Sequence, residues 1–168
     1  MTSTPILANS CARAATAAEA RYRIDAPIES RAARVIALDG PAAEIVGAVA
    51  QHGWASARFF VCENVRAGRP DVPAEFLMRE IDGAPTTLEA VLDGAHVAVM
   101  IATEDAGAGC AYAIGKACWE RGIMTAGLVL GDGLDTEDAV AALRPHARVL
   151  LPSADETDVL ELLTALRA

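Results

Sequence analysis

The sequence predicts an α/β domain in which helices cover both faces of a mainly parallel, doubly wound sheet. Short apolar runs alternate with segments of helical spacing from residue 34 to the end of the chain, the pattern of repeated strand, helix, strand crossovers. Hydrophobic residues make up 53% of the chain and aromatic residues only 4%, as expected for buried parallel strands under Ala-rich helices. At 168 residues the chain has the length of one domain.

The apolar runs predict six strands, and several of them are rich in β-branched residues. They span residues 34–38, 57–62, 76–81, 97–102, 124–130 and 147–151. The segments between them predict helices at 41–52, 86–93, 109–121, 136–143 and 155–167. Right-handed crossovers between these elements give a six-stranded sheet in the order 3-2-1-4-5-6, a three-layer Rossmann-like arrangement.

Capping residues mark the predicted ends of the helices. The helix starts follow polar residues that cap well, namely Thr86 or Thr87, Thr136 and Ser153. The helix ends are expected at glycines, which accept the left-handed conformation, namely Gly53, Gly94 and Gly122.

The first 32 residues are set apart from the single domain that we expect at 33–168. They are Ala-rich with scattered charges, and Pro27 interrupts them, so we expect an N-terminal helix near 11–21 or a mobile arm. Residues 63–75 contain two prolines and one glycine and form the one long connection.

Charge and composition exclude several classes of function. The formal net charge is −9, Lys116 is the sole lysine, and no basic run could neutralise a phosphate backbone, so nucleic acid is not an expected partner. No stretch approaches the roughly 18 apolar residues that span a bilayer, so no membrane association is expected. Because the first residues also lack the features of a secretory signal, we expect a cytoplasmic protein.

The cysteines show no metal-binding pattern. They form no C-x-x-C pair and have no histidine at ligand spacing, and we interpret all four as reduced, small core residues: Cys11, Cys62, Cys110 and Cys118. Cys110 begins a predicted helix, whose dipole favours a thiolate, so it is the best candidate nucleophile.

Two loops form the crevice that such a sheet presents at the carboxyl ends of its first and fourth strands. The first loop, residues 39–44, begins with Asp39 and Gly40. The second, residues 103–110, supplies the other candidate ligand-binding residues: Glu104, Asp105, Gly107, Ala108, Gly109 and Cys110. Glycines let backbone N–H groups approach a phosphate, whereas Glu104 and Asp105 repel one. Neither G-x-G-x-x-G nor a P-loop occurs.

Several carboxylates are expected at this sheet edge: Asp39, Glu104, Asp105, Asp132 and Asp135. Clustered carboxylates can hold Mg²⁺, or one can act as a general acid or base. The alternative is that they are turn and cap residues. No pair has a spacing that singles out a reaction, so we predict neither a catalytic residue nor a metal ligand.

The order of these segments resembles FtsZ, the bacterial tubulin-like GTPase. Residues 98–130, AVMIATEDAGAGCAYAIGKACWERGIMTAGLVL, resemble the strand, phosphate loop GGGTGTG, helix and strand at the centre of that family. Residues 34–64 resemble its first strand, glycine loop, helix and second strand. TTLEAVLDGA and LRPHARVLLPSADETDVL are similar to two further segments, so the resemblance covers about 34–165 in the family's order.

Departures from the family pattern fall in the phosphate loops. Pro41 removes an N–H group from the first loop. In the second loop Ala106 and Ala108 replace threonines, and Glu104 and Asp105 replace glycines. At an effective dielectric near 20, each like-charge pair at about 4 Å costs on the order of 4 kcal/mol. The family's second domain is also missing, so the resemblance implies a degenerate nucleotide domain that does not hydrolyse GTP and binds GTP or GDP weakly at most.

These features lead to one hypothesis and two alternatives. The leading hypothesis is a non-catalytic module for protein interaction or self-association, whose partner is a second copy, as in a homodimer, or a filament-forming FtsZ-type protein. The first alternative is a small-molecule or metal-binding protein, or an enzyme, that uses the crevice. The second is weak nucleotide binding through the backbone of residues 106–110, with Mg²⁺ shielding the acidic pair.

Overall fold

The computed structural model describes residues 29–64, 76–131 and 135–168, and its architecture is α/β around one seven-stranded sheet. The strands are β1 (Ala33–Ala37), β2 (Ala57–Asn64), β3 (Phe76–Glu80), β4 (Pro85–Thr86), β5 (Val97–Ala102), β6 (Met124–Leu130) and β7 (Val149–Ala154). Every predicted apolar run forms a strand. The predicted N-terminal helix or arm, up to residue 28, and most of the predicted long connection lie outside the described residues.

The strands lie in the order β4-β3-β2-β1-β5-β6-β7. Five strands are parallel to one another, namely β1, β2, β5, β6 and β7. Strand β3 is antiparallel to β2, and β4 is antiparallel to β3. The predicted sheet of six strands in the order 3-2-1-4-5-6 is therefore wrong in its strand number and in its order at one edge, where β4 is outermost.

A tight reversal after β3 creates the additional strand. Gly83 has φ +96°, in the left-handed region that glycine favours. The Asp82 side chain accepts a hydrogen bond from the Ala84 N–H at 3.0 Å, as turn aspartates do. This reversal lays Pro85 opposite Arg79 of β3. A strand of two residues leaves no periodic signal, and the sequence there predicts a helix start instead.

Within the described residues, α-helices and one 3₁₀ turn connect the strands. They are α1 (Gly40–Ala50), α2 (Leu88–Leu92), the 3₁₀ turn (Asp105–Gly107), α3 (Ala108–Arg121), α4 (Glu137–Leu143) and α5 (Glu156–Leu166). None of these helices has both the length and the apolar character that crossing a membrane requires.

Some of the predicted helix boundaries are confirmed. The Thr87 side chain caps α2 by accepting a hydrogen bond from the Ala90 N–H at 3.2 Å. Gly94 and Gly122 follow α2 and α3 with φ +63° and +68°, the left-handed conformation expected after a helix end.

Other predicted boundaries are wrong because a neighbouring residue takes the role. Helix α5 is capped by Asp155, which forms a reciprocal capping box with Asp158, whereas Ser153 lies in β7. Helix α1 ends at Ala50, and the residue that follows it, Gln51, keeps a right-handed backbone conformation. The helix therefore ends before Gly53.

Helices cover both faces of the sheet, as predicted. One apolar cluster joins Val35 and Ala37 of β1 with α1 and α5, and a second joins Ile36 and Leu38 with α2, α3 and α4. Because consecutive strand residues point to opposite faces, β1 is buried on both sides. This layering is compatible with a Rossmann-like fold, and it leaves the strand ends as the place for a site.

Arg34 of β1 is a buried arginine that binds the end of α2. The residue is only 7% exposed. Its Nε donates to the Val91 carbonyl at 2.7 Å and its Nη2 to the Asp93 carbonyl at 2.9 Å. Burial, aided by the charge of Arg58, lowers the pKa of this guanidinium. The last carbonyls of a helix have no partner within it, so Arg34 stabilises the end of α2 against the sheet.

Replacing Arg34 with Met is expected to lower the free energy of unfolding by about 2–4 kcal/mol, because the buried carbonyl of Val91 and the partly buried carbonyl of Asp93 lose their donors. The matched control is Arg58→Met. Arg58 is the register neighbour of Arg34 on β2, but its side chain is 52% exposed, so its loss should cost less than about 1 kcal/mol. Urea denaturation followed by circular dichroism measures both, and equal losses would contradict the assignment.

Candidate functional site

A crevice lies at the carboxyl end of β1 and extends along β2 and β3, and Glu104 and Ala106 of the second predicted loop also line it. The sequence predicts it between the first and fourth predicted strands, β1 and β5, whereas it lies on the β2 side of β1. Its volume is about 700 Å³. Its apolar lining includes Leu38, Val61, Leu77 and Ile81. Its acidic lining consists of Asp39, Glu44, Glu63, Glu80 and Glu104. Arg79 also lines the crevice, and its guanidinium is paired with the Glu63 carboxylate. Carboxylates therefore outnumber cations here, and the field of the crevice favours cationic over anionic ligands.

Asp39 is the residue on which the two loops converge. It is 7% exposed, and each of its two carboxylate oxygens accepts two hydrogen bonds. Oδ1 accepts from the Ala42 N–H at 2.9 Å and from the Thr103 hydroxyl at 2.6 Å. Oδ2 accepts from the N–H groups of Thr103 and Glu104 at 2.7 and 3.1 Å. The acceptor capacity of this carboxylate is thus filled by the protein itself.

Thr103 and Ala42 are the partners that sequence reasoning missed. The register of β1 and β5 pairs Ala37 with Ile101, and the Leu38 N–H continues the ladder to the Ile101 carbonyl at 2.9 Å. Two residues further along each strand, Asp39 therefore faces Thr103. The sequence signal for this contact is an aspartate and a threonine, each two residues beyond a paired position of two adjacent parallel strands. It can be recognised only when the strand register is known.

Asp105 has a different task from Asp39. Its Oδ1 accepts a hydrogen bond from the Ala139 N–H at 2.9 Å, in the first turn of α4. Thr136 occupies the N-cap position of α4 but makes no capping bond with its side chain. Asp105 therefore caps α4 from a distant loop, where its charge also suits the helix dipole. It does not line the crevice.

Gly107 is required by packing within the loop. A Cβ atom at this position would lie 2.7 Å from the Leu38 Cβ and 2.9 Å from the Leu38 carbonyl oxygen. The 3₁₀ turn therefore rests directly on the end of β1.

Ala108 and Gly109 are the first residues of α3. Neither of them lines the crevice, whereas Glu104 and Ala106 do. Gly40, the first residue of α1, does line it and is exposed.

Cys110 is buried in the core between α3 and β2. It has no exposed surface, and its Sγ donates to the Cys62 carbonyl at 3.5 Å. The hydrogen bond with the Cys110 side chain, together with burial, raises the pKa of Cys62. Burial raises the pKa of Cys118 to about 11. All three thiols are free and buried, which confirms for them the interpretation as small core residues, while Cys11 lies outside the described residues.

The remaining predicted carboxylates do not complete a metal site. Asp132 lies outside the described residues, and Asp135 is exposed. Among the residues that the structure describes, no three His, Cys, Asp or Glu side chains are grouped so that they could hold a metal ion. The structure therefore brings together Asp39, Gly40 and Glu104 at the crevice and directs Asp105, Gly107 and Cys110 into the fold.

No family model matches the chain, and no curated protein matches it.

Replacing Asp39 with Ala should lower the free energy of unfolding by about 2–4 kcal/mol, because three backbone N–H groups and one hydroxyl lose a charged acceptor in a buried place. Glu44→Gln is the matched control: Glu44 lines the same crevice but is exposed, so the change should stay within about 0.5 kcal/mol. Urea denaturation at neutral pH gives both values. A loss for Asp39→Ala no larger than that of the control would show that the four hydrogen bonds contribute nothing.

The free energy of unfolding should also fall as the pH rises from about 9 to 11. The pKa of Cys118 rises from its ordinary 9.0 to about 11 on folding, so in this window the unfolded chain releases a proton that the folded chain keeps. Below pH 9.0 the Cys118 thiol is protonated in both states, and its ionisation does not lower the free energy of unfolding. By pH 11 the free energy of unfolding is lower by about 2–3 kcal/mol. Chemical denaturation at a series of pH values measures the slope. Cys118→Ala should show a shallower slope than the parent protein, and identical slopes would refute the assignment.

Proposed function

We propose that this chain is a degenerate FtsZ/tubulin-like nucleotide domain that acts by contact with proteins rather than by catalysis. The observation that carries this proposal is the Asp39 carboxylate. It accepts hydrogen bonds from the two loops that, in the family it resembles, bind phosphate.

The donors around Asp39 are of the kind that phosphate-binding loops present. Backbone N–H groups at a helix N-terminus and at a strand end, together with a threonine hydroxyl, are suited to an anion. Here Ala42, Thr103 and Glu104 direct these donors to an internal carboxylate. A phosphate could reach these donors only by displacing the Asp39 carboxylate, which is buried and is part of the chain. The Asp39 side chain therefore always competes with an external anion.

The charge of the crevice acts in the same direction. Glu44 and Glu104 line the crevice, and so does Glu80, which is paired with Arg58. The cation among the lining residues, Arg79, is paired with Glu63, and the sole lysine, Lys116, lies in α3 beside Glu120 at 4.0 Å. We therefore infer that GTP and GDP bind weakly at most and that GTP hydrolysis does not occur. The alternative of a small ligand in the crevice stays a prediction, limited by this charge to neutral or cationic molecules.

Exposed apolar side chains support contact with proteins. Tyr112 and Trp119 of α3 are 56% and 74% exposed, and Val149 and Leu151 of β7 are 46% and 36% exposed. Apolar side chains that lie together on a surface are typical of interaction sites, and Tyr112 and Trp119 are seven residues, about two turns, apart on one side of α3. The proposed partners remain a second copy of this chain or a filament-forming protein of the FtsZ type.

Isothermal titration tests the proposal directly. With Mg²⁺ present, neither GTP nor GDP should bind with a Kd below about 1 mM. Micromolar binding of either nucleotide would overturn the proposal.

The Asp39→Ala variant supplies a positive counterpart to that titration. Because it opens the N–H groups of Ala42, Thr103 and Glu104, sodium formate should raise its Tm more than sodium chloride does at equal ionic strength. Salts also differ in their general effect on stability, so the excess of the formate shift over the chloride shift is compared between the variant and the parent protein, and it should be larger for the variant. A variant that remains folded and shows no larger excess than the parent would contradict the idea that Asp39 takes the place of an external anion.

A further inference from the structure

Trp119 is the most exposed large apolar side chain in the described part of the chain. Its exposed fraction is 74%, against 56% for Tyr112 two turns earlier in α3. Aromatic side chains dominate the energetics of protein interfaces, and Trp is among the residues most enriched at their energetic centres. Trp119 is therefore the strongest candidate anchor on this surface.

A pocket lies directly beside Trp119. Its volume is about 220 Å³, and its walls include Trp119, Thr125, His146 and Arg148. It lies where β6 and β7 begin, which is the opposite end of the parallel strands from the acidic crevice. A cavity of about 150 Å³ can hold a benzene ring, so this pocket has room for an aromatic side chain.

Packing and hydrogen bonds fix the shape of this pocket. A Cβ atom on Gly115 would lie 2.7 Å from the His146 Cδ2 atom, so the turn before β7 rests directly on α3. The Thr125 hydroxyl donates to the His146 carbonyl, and the Arg148 N–H donates to the Thr125 carbonyl at 2.9 Å. The rings of His146 and Tyr112 pack edge to face, with their centroids 5.7 Å apart. The pocket is therefore formed before a partner binds, which favours binding.

The exposed ring and the pocket lie on the same surface, which makes this surface self-complementary. Two copies related by a two-fold axis present the same patch to each other. If the axis passes between Trp119 and the pocket, each indole ring enters the pocket of the other copy. The two indole rings then pack against one another, because each of them is also a wall of its own pocket. Packed aromatic pairs are favourable beyond the area that they bury.

The charges beside the ring and beside the pocket are also complementary. Glu120 follows Trp119 in α3, whereas the cation on the pocket wall is Arg148, and both charged residues are exposed. When each Trp119 fills the pocket of the other copy, the anion beside the ring approaches the cation beside the pocket, and this occurs twice in one dimer. Lys116 also lies beside Glu120, at 4.0 Å. The patch therefore has no excess of carboxylates, in contrast to the crevice.

We propose that two copies of this chain associate about a two-fold axis, with Trp119 of each copy inserted into the other copy's pocket between α3 and the beginnings of β6 and β7. This proposal rests on the proposed function, since it names the partner and the surface of a self-associating module. It also accounts for the exposure of Trp119, because a large aromatic side chain that lies in water in one copy becomes buried in the pair.

Sedimentation equilibrium on the full chain tests the interface. The parent protein should be a dimer, and Trp119→Ala should weaken the dimer by at least about thirtyfold, as expected for a central aromatic anchor. Because Trp119 is mostly exposed, this variant should stay folded, which circular dichroism checks. Leu77→Ala is the matched control: Leu77 is an exposed apolar residue of β3, outside the patch, and its change should leave the dimer intact.

Fluorescence supplies a second measurement that reports on the Trp119 ring itself. The chain contains two tryptophans, so Trp54→Phe leaves Trp119 as the single emitter. At about 100 μM the emission maximum should be that of an indole shielded from water, and it should move to longer wavelength over the dilution range in which the dimer dissociates. Emission typical of an indole in water at every concentration would contradict the insertion.

A charge exchange tests where the ring is inserted. Arg148→Glu should weaken the dimer by at least about threefold, because Glu120 of the other copy then approaches a carboxylate. Adding Glu120→Arg to the same chain should recover the lost affinity. A double variant that dimerises more weakly than Arg148→Glu alone would show that Trp119 does not enter the pocket beside Arg148.

The outcomes separate this inference from the proposed function. A dimer that Trp119→Ala leaves intact would overturn this interface, while self-association itself stands. A full chain that is monomeric up to about 100 μM would also overturn it, and would leave a filament-forming protein as the partner in the proposed function. Micromolar GTP binding would overturn the proposed function whatever the oligomeric state.

Discussion

The Asp39 carboxylate is the contact on which the candidate site depends. It ties the start of α1 to the end of β5 through four hydrogen bonds from Ala42, Thr103 and Glu104. These bonds join the loops after two adjacent central strands, and the shared acceptor is an ion in a buried place. Such a network is strong only while all its members are satisfied. The site is therefore organised around an internal anion, and its backbone donors are not free for a ligand.

The rest of the second loop is directed inward in the same way. Asp105 gives its carboxylate to α4, and Gly107 allows the 3₁₀ turn to rest on Leu38. Cys110 follows at once and is buried against β2. A loop that contacts β1, α4 and β2 within six residues is constrained by the core on several sides. Small residues and acids that suggest a ligand site in the sequence are here accounted for by packing and capping.

The sequence predicts the repeating elements well because their signals are local. The apolar runs that form β1, β5 and β6 and the glycine that ends α3 are recognisable from a few neighbouring residues. The misses come from interactions between distant parts of the chain. Strand β4 exists only because β3 lies beside it, and α4 is capped by Asp105, which is 34 residues from Ala139. The bond between Asp39 and Thr103 likewise depends on a strand register that no local pattern contains.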